Sequence, residues 1–205
     1  MLVKKITERM QRMPLELVQP TGVTREAAVL VALTREADPR VVFIKRAEHL
    51  TNHRGEVAFP GGMWEPGDPH LLYTALRECE EEVALPAHAV EVIAKLEQQK
   101  TRVGIPVTPY VGLFDPTHKL YPDLAELDAV FCVPLSFLLN PANLEMRSFH
   151  VFDGPHALPC ICYKGYTIWG FTLTVLVKFL NRALMAGLEL NYDSIKGHEF
   201  QELVK

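Results

Sequence analysis

The segment GGMWEPGDPHLLYTALRECEEEVAL, residues 61–85, constrains the fold of this chain more than any other. Its three glycines and two prolines predict a loop, and the residues that follow predict a helix over about 70–83. At about 100° per residue, one narrow stripe of this helix is apolar. The stripe consists of Leu72, Leu76, Cys79 and Val83. The segment therefore predicts an amphipathic helix that packs on a core and is entered through a glycine-rich loop.

Carboxylates crowd one edge of this apolar stripe. Glu78 and Glu82 lie roughly 40° apart around the helix, and Glu81 continues on the same side. Like charges at this spacing repel, and partial burial would raise their pKa values. A solvated acidic face is one interpretation of such a cluster, and a divalent cation that offsets the repulsion is the other. Arg77 is one turn before Glu81 and is expected to pair with it.

Both ends of the helix carry residues with positional preferences. We expect Asp68 to cap the first turn and Pro69 to occupy the first helical position, where a missing N–H costs nothing. Ala84 follows the helix in place of a glycine, which predicts a helix end that avoids a positive φ angle. Gly61 and Gly62 allow the backbone to pass close to a ligand, so a main-chain carbonyl of Gly62 is a further candidate cation ligand.

The rest of the chain alternates between strand and helix patterns. Apolar, β-branched runs at 26–34 and 40–46 predict paired strands, and further strands are expected over 90–98, 105–114, 129–135, 146–152 and 158–163. Helices are expected over 2–13 and 170–187, the second closed by Gly187, although its start also permits a strand. With 205 residues, 48% of them hydrophobic, we predict an α/β or α+β sandwich in one domain, 1–205, with a core over about 25–182.

Charge and cysteine spacing narrow the classes of function. The net charge of −4 indicates no general affinity for nucleic acid or for an anionic membrane. No apolar run reaches membrane-spanning length, and no signal peptide pattern precedes the fold, so we expect a cytoplasmic protein. Cys160 and Cys162 alternate on a predicted strand and should face the same side. We interpret them as reduced core side chains, with a metal or redox role as the alternative.

The loop and helix together resemble the box of the Nudix family. The box has a glycine, an acid six residues later, and then Arg-Glu-apolar-x-Glu-Glu-x-Gly-apolar. These positions are filled here by Gly62, Asp68, Arg77, Glu78, Cys79, Glu81, Glu82 and Leu85. Two departures occur, because the spacer after Asp68 is one residue longer than usual and Ala84 replaces the glycine. Neither departure changes the register of the glutamates.

A second motif, RAEHLTNHRGEVAFPGG at 46–62, resembles the signature of the coenzyme A diphosphatase branch of that family. The matching residues are Arg46, Leu50, His53, Gly55, Phe59, Pro60, Gly61 and Gly62. Ala47 stands where that signature has serine, and Glu56 stands where it has glutamine. The resemblance implies a Nudix fold, in which a mixed sheet lies between helices, and hydrolysis of the diphosphate bond of coenzyme A or its thioesters.

The resemblance also implies roles for individual residues. Glu78 and Glu82 would be the main ligands of Mg²⁺ or Mn²⁺, Glu81 a further ligand, and Arg77 would orient these carboxylates. The general base would be a glutamate of the box or the loop residue Glu126. Arg46, His53 and Gly61 would contact the substrate, with the 3′-phosphate of coenzyme A as a candidate partner of Arg46. For Arg46, Glu126 and His53, ordinary structural roles remain alternatives: a surface arginine, a solvated loop acid and a brace for the loop.

Three classes of function stay open at this point. The first is the diphosphatase, with a small molecule and not a nucleic acid as its partner. The second keeps the chemistry and changes the substrate to ADP-ribose, a dinucleotide or an oxidised nucleotide, because the box dictates metal chemistry and not the leaving group. The third is a non-catalytic binding module on the same fold. Homodimers are common among Nudix proteins, so the resemblance allows one here.

Overall fold

The strand at the centre of the fold is β1 (Ala27–Thr34), which pairs with two strands that are distant in the sequence and one that follows directly. It runs parallel to β7 (Pro106–Phe114) along its whole length, from Ala27↔Val107 to Thr34↔Phe114. On its other side it is antiparallel to β2 (Arg40–Arg46) and to the short β4 (Gly61–Met63). The predicted pairing of 26–34 with 40–46 is confirmed.

The computed structural model describes residues 2–12, 15–22, 25–151 and 154–192. The remaining strands of the main mixed sheet are β3 (Val57–Ala58), β5 (Glu91–Lys95), β6 (Gln99–Lys100) and β8 (Leu127–Pro134), and a smaller sheet contains β9 (Leu144–Val151), β10 (Gly154–Tyr163) and β11 (Tyr166–Trp169). The helices are α1 (Leu2–Met10), α2 (Leu71–Val83), α3 (Leu135–Leu138) and α4 (Gly170–Leu184).

Helices cover both faces of the main sheet. Side chains of β1 that point to one face, among them Leu30, form a core with α2, and the alternate side chains, among them Val31, form a second core with α1 and α4. This alternation follows from the two-residue period of a strand. The mixed sheet between helices confirms the predicted fold class.

The last helix differs from its prediction at both ends. It begins at Gly170, so the permitted strand at its start is wrong, and it ends at Leu184 instead of reaching Gly187. Met185 takes the left-handed conformation that reverses the chain, with φ 54°. Pro14, at the predicted end of the first helix, lies outside the described residues. Among the helices of the described residues, none has the length and hydropathy that crossing a membrane requires.

Candidate functional site

The glycine pair brings the loop into direct contact with the acidic helix. Strand β4 pairs with the first residues of β1, Val29 facing Gly61 and Ala28 facing Gly62. A Cβ atom at Gly61, where φ is 149°, would lie 2.3 Å from the carbonyl oxygen of Ala28. A Cβ atom at Gly62 would lie 2.4 Å from Oε1 of Glu78. Gly61 therefore requires glycine, because its closest neighbours are backbone atoms, whereas a side chain at Gly62 would displace the carboxylate of Glu78 from the strand.

Glu82 is the most buried carboxylate of the helix. Only 4% of the residue is exposed, and its Oε2 accepts a hydrogen bond of 2.9 Å from the backbone N–H of Gly61. Burial raises the pKa of Glu82 to about 8, and the negative charges of Glu78 and Glu126 add to that rise. The Gly61 N–H and the positive charge of Arg46 act in the opposite direction and offset only part of it.

Glu78 is one helical turn before Glu82, and its pKa is also raised by burial and by neighbouring carboxylates. Burial raises its pKa, Arg77 opposes that rise, and the charges of Glu81 and Glu126 add to it. Two partly or wholly buried carboxylates with raised pKa values, in mutual repulsion, therefore face the glycine loop. Oxygen donors arranged in this way suit a hard divalent cation such as Mg²⁺ or Mn²⁺, whose charge would remove the repulsion.

Arg77 binds three carboxylates at once. Its Nε and Nη2 donate to the two oxygens of Asp68, each at 3.0 Å, while Nη1 donates to Glu81 at 2.8 Å and Nη2 also donates to Glu78 at 3.1 Å. The predicted Arg77–Glu81 pair is confirmed. This network holds the Glu78 side chain in place through a bidentate anchor on the loop, which lysine could not reproduce.

Asp68 has a different role from the one predicted. The helix begins at Leu71 with His70 as its cap, and the Nδ1 atom of His70 accepts from the N–H of Tyr73 at 3.0 Å, so Pro69 is not a helical residue. Burial alone would raise the pKa of Asp68, but hydrogen bonds from Arg77 and Thr74 bring it below its usual value. The Asp68 carboxylate therefore pairs with Arg77 instead of capping the helix, and His70 is the cap.

The prediction that the helix end avoids a positive φ is wrong. Ala84 has φ 57° and ψ 31°, the left-handed conformation, and its N–H donates to the carbonyl of Glu80 at 3.0 Å. The next residue, Leu85, is 0% exposed. Leu85 is buried directly after the last helical turn, so the chain has to reverse its direction at Ala84. The left-handed conformation that produces this reversal costs free energy for alanine and would not for glycine.

The backbone segments that carry Arg46 and Glu126 lie side by side. Arg46 is the last residue of β2, and its buried Nε has no hydrogen-bond partner within the described part of the chain. Its charge reaches Glu82, as the lowering effect on that pKa indicates. The backbone N–H of Ala47 donates to the carbonyl of Glu126 at 2.8 Å, which keeps the Glu126 loop next to β2. The Glu126 side chain is exposed, yet its charge acts on both Glu78 and Glu82.

His53 and Glu81 lie further out than the other candidates. The side chain of His53 is 69% exposed, and its Nδ1 is 2.9 Å from Oε2 of Glu56. That hydrogen bond raises the pKa of His53, while the nearby charges of Arg46 and Arg102 lower it. The side chain of Glu81 is 59% exposed and is turned toward Arg77. The structure thus brings together Gly61, Gly62, Arg77, Glu78 and Glu82, with Arg46 and Glu126 beside them, and leaves His53 on an exposed loop.

Comparison with known proteins adds three findings. Residues 24–150 match the NUDIX domain. The chain is 36% identical over 181 residues to proteins of Yersinia pestis (strain Pestoides F) and Yersinia pseudotuberculosis (serotype O:1b), each described as an uncharacterized Nudix hydrolase, NudL. Each alignment covers 83% of this chain and 91% of the relative. The crystal structure of a MutT/nudix family protein from Enterococcus faecalis is similar in fold, with a TM-score of 0.51 and 17% identity, over 90% of this chain and 70% of that one.

Proposed function

This chain belongs to the Nudix hydrolase family, and from that premise we propose that it hydrolyses the diphosphate bond of coenzyme A or its derivatives. The products would be 4′-phosphopantetheine, or its acyl form, and adenosine 3′,5′-bisphosphate. The observation that carries this proposal is the position of the segment 46–62. It starts at Arg46, whose charge acts on Glu82, and it ends at the glycines that contact Glu82 and Glu78.

Glu78 and Glu82 are the proposed ligands of Mg²⁺ or Mn²⁺, together with the carbonyl of Gly62. They fit a hard cation because both carboxylates lie close to the loop, and the negative charge of Glu78 raises the pKa of Glu82. Glu81 is proposed as a further ligand, although it would have to share its oxygens with Arg77. A bound divalent ion supplies charge neutralisation at the diphosphate and a water of lowered pKa.

The protein's own groups would then position the reaction. Arg77 fixes the orientation of Glu78 through its anchor on Asp68, so we propose it as a positioning residue. For the general base we propose Glu126, with the box glutamates Glu78 and Glu81 as the alternatives. Glu126 is exposed and close enough for its charge to act on Glu78, so it can reach a water at the rim of the site.

Arg46 is proposed to bind the 3′-phosphate of coenzyme A. The guanidinium charge acts on Glu82, and its buried Nε has no hydrogen-bond partner among the described residues, so a positive charge next to the carboxylates would attract an anionic oxygen of the substrate. His53 is proposed to donate to a phosphate only in a secondary role, because its Nδ1 is already engaged with Glu56. The backbone of Gly61 would lie against the substrate, where a side chain would block it.

Product identification by mass spectrometry tests this proposal. The purified protein is incubated with Mg²⁺ or Mn²⁺ and a panel of coenzyme A, an acyl-coenzyme A, dephospho-coenzyme A, ADP-ribose, diadenosine tetraphosphate and an oxidised nucleoside triphosphate. We expect the highest kcat/KM for coenzyme A or its acyl form, with adenosine 3′,5′-bisphosphate as a product. Faster turnover of ADP-ribose, a dinucleotide or the oxidised nucleotide would assign the other branch of the family. No turnover of any member would favour a binding module.

The same substrate panel tests whether Arg46 binds the 3′-phosphate. Because the two forms differ only in the 3′-phosphate, the ratio of kcat/KM for coenzyme A to that for dephospho-coenzyme A measures recognition of that group. We expect Arg46→Gln to reduce this ratio by about tenfold or more, since one charge-assisted hydrogen bond is worth roughly 1.5–3 kcal/mol. Arg54→Gln, an exposed arginine on the same loop, serves as the control. An unchanged ratio in Arg46→Gln would remove Arg46 from the substrate contacts.

A further inference from the structure

A second group of side chains of the types that ligate metals lies on the small sheet, on strands β9 and β10. Cys160 and Cys162 belong to β10, and their two-residue spacing places them on the same face of that strand, as the alternation in the sequence predicts. Glu145 of the neighbouring strand β9 stands directly opposite Cys160 in the antiparallel register. Cys162 in turn faces Thr167 of β11, with Sγ and Oγ1 3.6 Å apart.

The donor atoms of this group are already clustered. One ligand atom from each of Glu145, Cys160 and Cys162 lies within 4.8 Å of the other two, and within the described ranges no other three His, Cys, Asp or Glu side chains meet that condition. Two ligand atoms that are each about 2.3 Å from a common ion lie at most about 4.6 Å apart. The cluster therefore needs only small side-chain rotations to enclose an ion.

The burial of the three side chains gives the cluster one open side. Cys160 is buried, Cys162 is half-buried and Glu145 is exposed. An ion can therefore enter from the solvent without opening the core, and a water or the Thr167 hydroxyl can complete a tetrahedral shell. All four cysteines are free thiols. A disulfide within the pair is disfavoured, because same-face neighbours on a strand have Cα atoms about 6.6–6.8 Å apart, at the upper limit for that bond.

We propose that Cys160, Cys162 and Glu145 form a binding site for a thiophilic divalent cation of the Zn²⁺ class. The two soft thiolates select Zn²⁺ over Mg²⁺, and a carboxylate is an accepted third ligand of Zn²⁺, whereas the all-oxygen glutamates of α2 prefer Mg²⁺ or Mn²⁺. The ion would link β9 to β10 and hold the two cysteines as thiolates beside the Glu145 carboxylate. Arg147 is bound to Oε1 of Glu145 at 2.9 Å, so the carboxylate would bind the ion through its other oxygen.

Titration of the whole 205-residue chain with Co²⁺ tests the proposal, because thiolate ligands give Co²⁺ a ligand-to-metal charge-transfer absorption in the near ultraviolet that carboxylates do not. Under reducing conditions we expect this absorption to saturate at one equivalent and to be displaced by Zn²⁺. Cys162→Ser, at a half-buried position, should reduce this absorption by about half or more and weaken Co²⁺ binding by about tenfold or more, because Cys160 is then the one thiolate left in the group. Glu145→Gln should weaken Co²⁺ binding by about tenfold or more.

Two controls separate this site from others on the same chain. Cys132→Ser removes a half-buried thiol elsewhere, and Glu82→Gln alters the acidic helix, so both should leave the absorption unchanged. A wild-type protein without the charge-transfer absorption would overturn the proposal. An absorption of undiminished intensity and affinity in Cys162→Ser, or one that disappears in Cys132→Ser, would overturn it as well.

Discussion

We expect Glu82→Gln to stabilise the metal-free protein at alkaline pH while it abolishes metal-dependent turnover. Glu82 is 4% exposed, and its burial raises its pKa from 4.5 to about 8. Between those two pH values the folded carboxyl therefore keeps a proton that the unfolded chain has released. The stability that this group contributes is complete below pH 4.5 and is lost as the pH rises through about 8.

The size of the effect follows from the shift. Each pKa unit corresponds to about 1.4 kcal/mol, so the full shift represents roughly 5 kcal/mol. The part that is lost between about pH 6 and pH 8 is on the order of 2 kcal/mol. In a chain of 205 residues this loss lowers the melting temperature by roughly 4–9 °C. Glutamine cannot ionise, and its amide oxygen can still accept the Gly61 N–H.

The assay is thermal unfolding in the presence of a chelator at pH 6 and at pH 8, with and without Mg²⁺. Without metal, the variant should lose most of the decrease in melting temperature that the wild type shows between the two pH values. Added Mg²⁺ should raise the melting temperature of the wild type and not that of the variant. Glu80→Gln, on the exposed side of the same helix, should behave as the wild type. A variant with the full pH dependence of the wild type, or with undiminished turnover, would refute this reasoning.

The remaining predictions concern the backbone, the arginine and the base. Ala84→Gly should raise the free energy of unfolding by about 0.5–1 kcal/mol, because the cost of a left-handed alanine is larger than the additional conformational entropy that glycine loses on folding. A lower urea midpoint than that of the wild type would contradict this. Ala142→Gly, at a position without a positive φ, is the control and should be destabilising. Arg77→Lys should lower kcat by about 10- to 100-fold with an unchanged circular dichroism spectrum, because lysine cannot hold three carboxylates; an unaltered kcat would exclude Arg77 as a positioning residue. Glu126→Gln should lower kcat by about 100-fold or more and flatten the acidic side of the pH–rate profile; an unchanged profile would transfer the role of base to a box glutamate.

The local patterns of the sequence were sufficient to predict the acidic helix and the central strands. The helix was expected over about 70–83 and is observed over Leu71–Val83, because a complete apolar stripe and a glycine-rich entry define it without help from the rest of the chain. The neighbouring positions of Glu78 and Glu82 follow from helix geometry alone. The same holds for the Arg77–Glu81 pair at 2.8 Å.

Tertiary contacts decided the features that the sequence did not predict. Asp68 was expected to cap the helix, but Arg77, two turns into the helix, donates hydrogen bonds to both of its carboxylate oxygens. Ala84 was expected to avoid a positive φ, but Leu85 must enter the core. The bond between Gly61 and Glu82 depends on the docking of β4 beside β1, which local preference does not determine.

In the small sheet, too, the sequence predicted the arrangement within one strand but not the pairing between strands. Alternation along 158–163 predicted that Cys160 and Cys162 share a face, and they do. The third member of the group, Glu145, was not singled out, because the register between β9 and β10 depends on pairing across the sheet. That register turns two unremarkable cysteines into part of a candidate metal site. The single-domain organisation over 1–205 and the roles of the site residues stay predictions.

Diffraction from crystals soaked in Mn²⁺, with data collected at the manganese absorption edge, tests the central claim most directly. We predict an anomalous peak in contact with carboxylate oxygens of both Glu78 and Glu82 in the wild type, and its absence in crystals of Glu82→Gln treated in the same way. A wild-type map without density at that position, in which the two carboxylates keep apart and bind no ion, would contradict the claim.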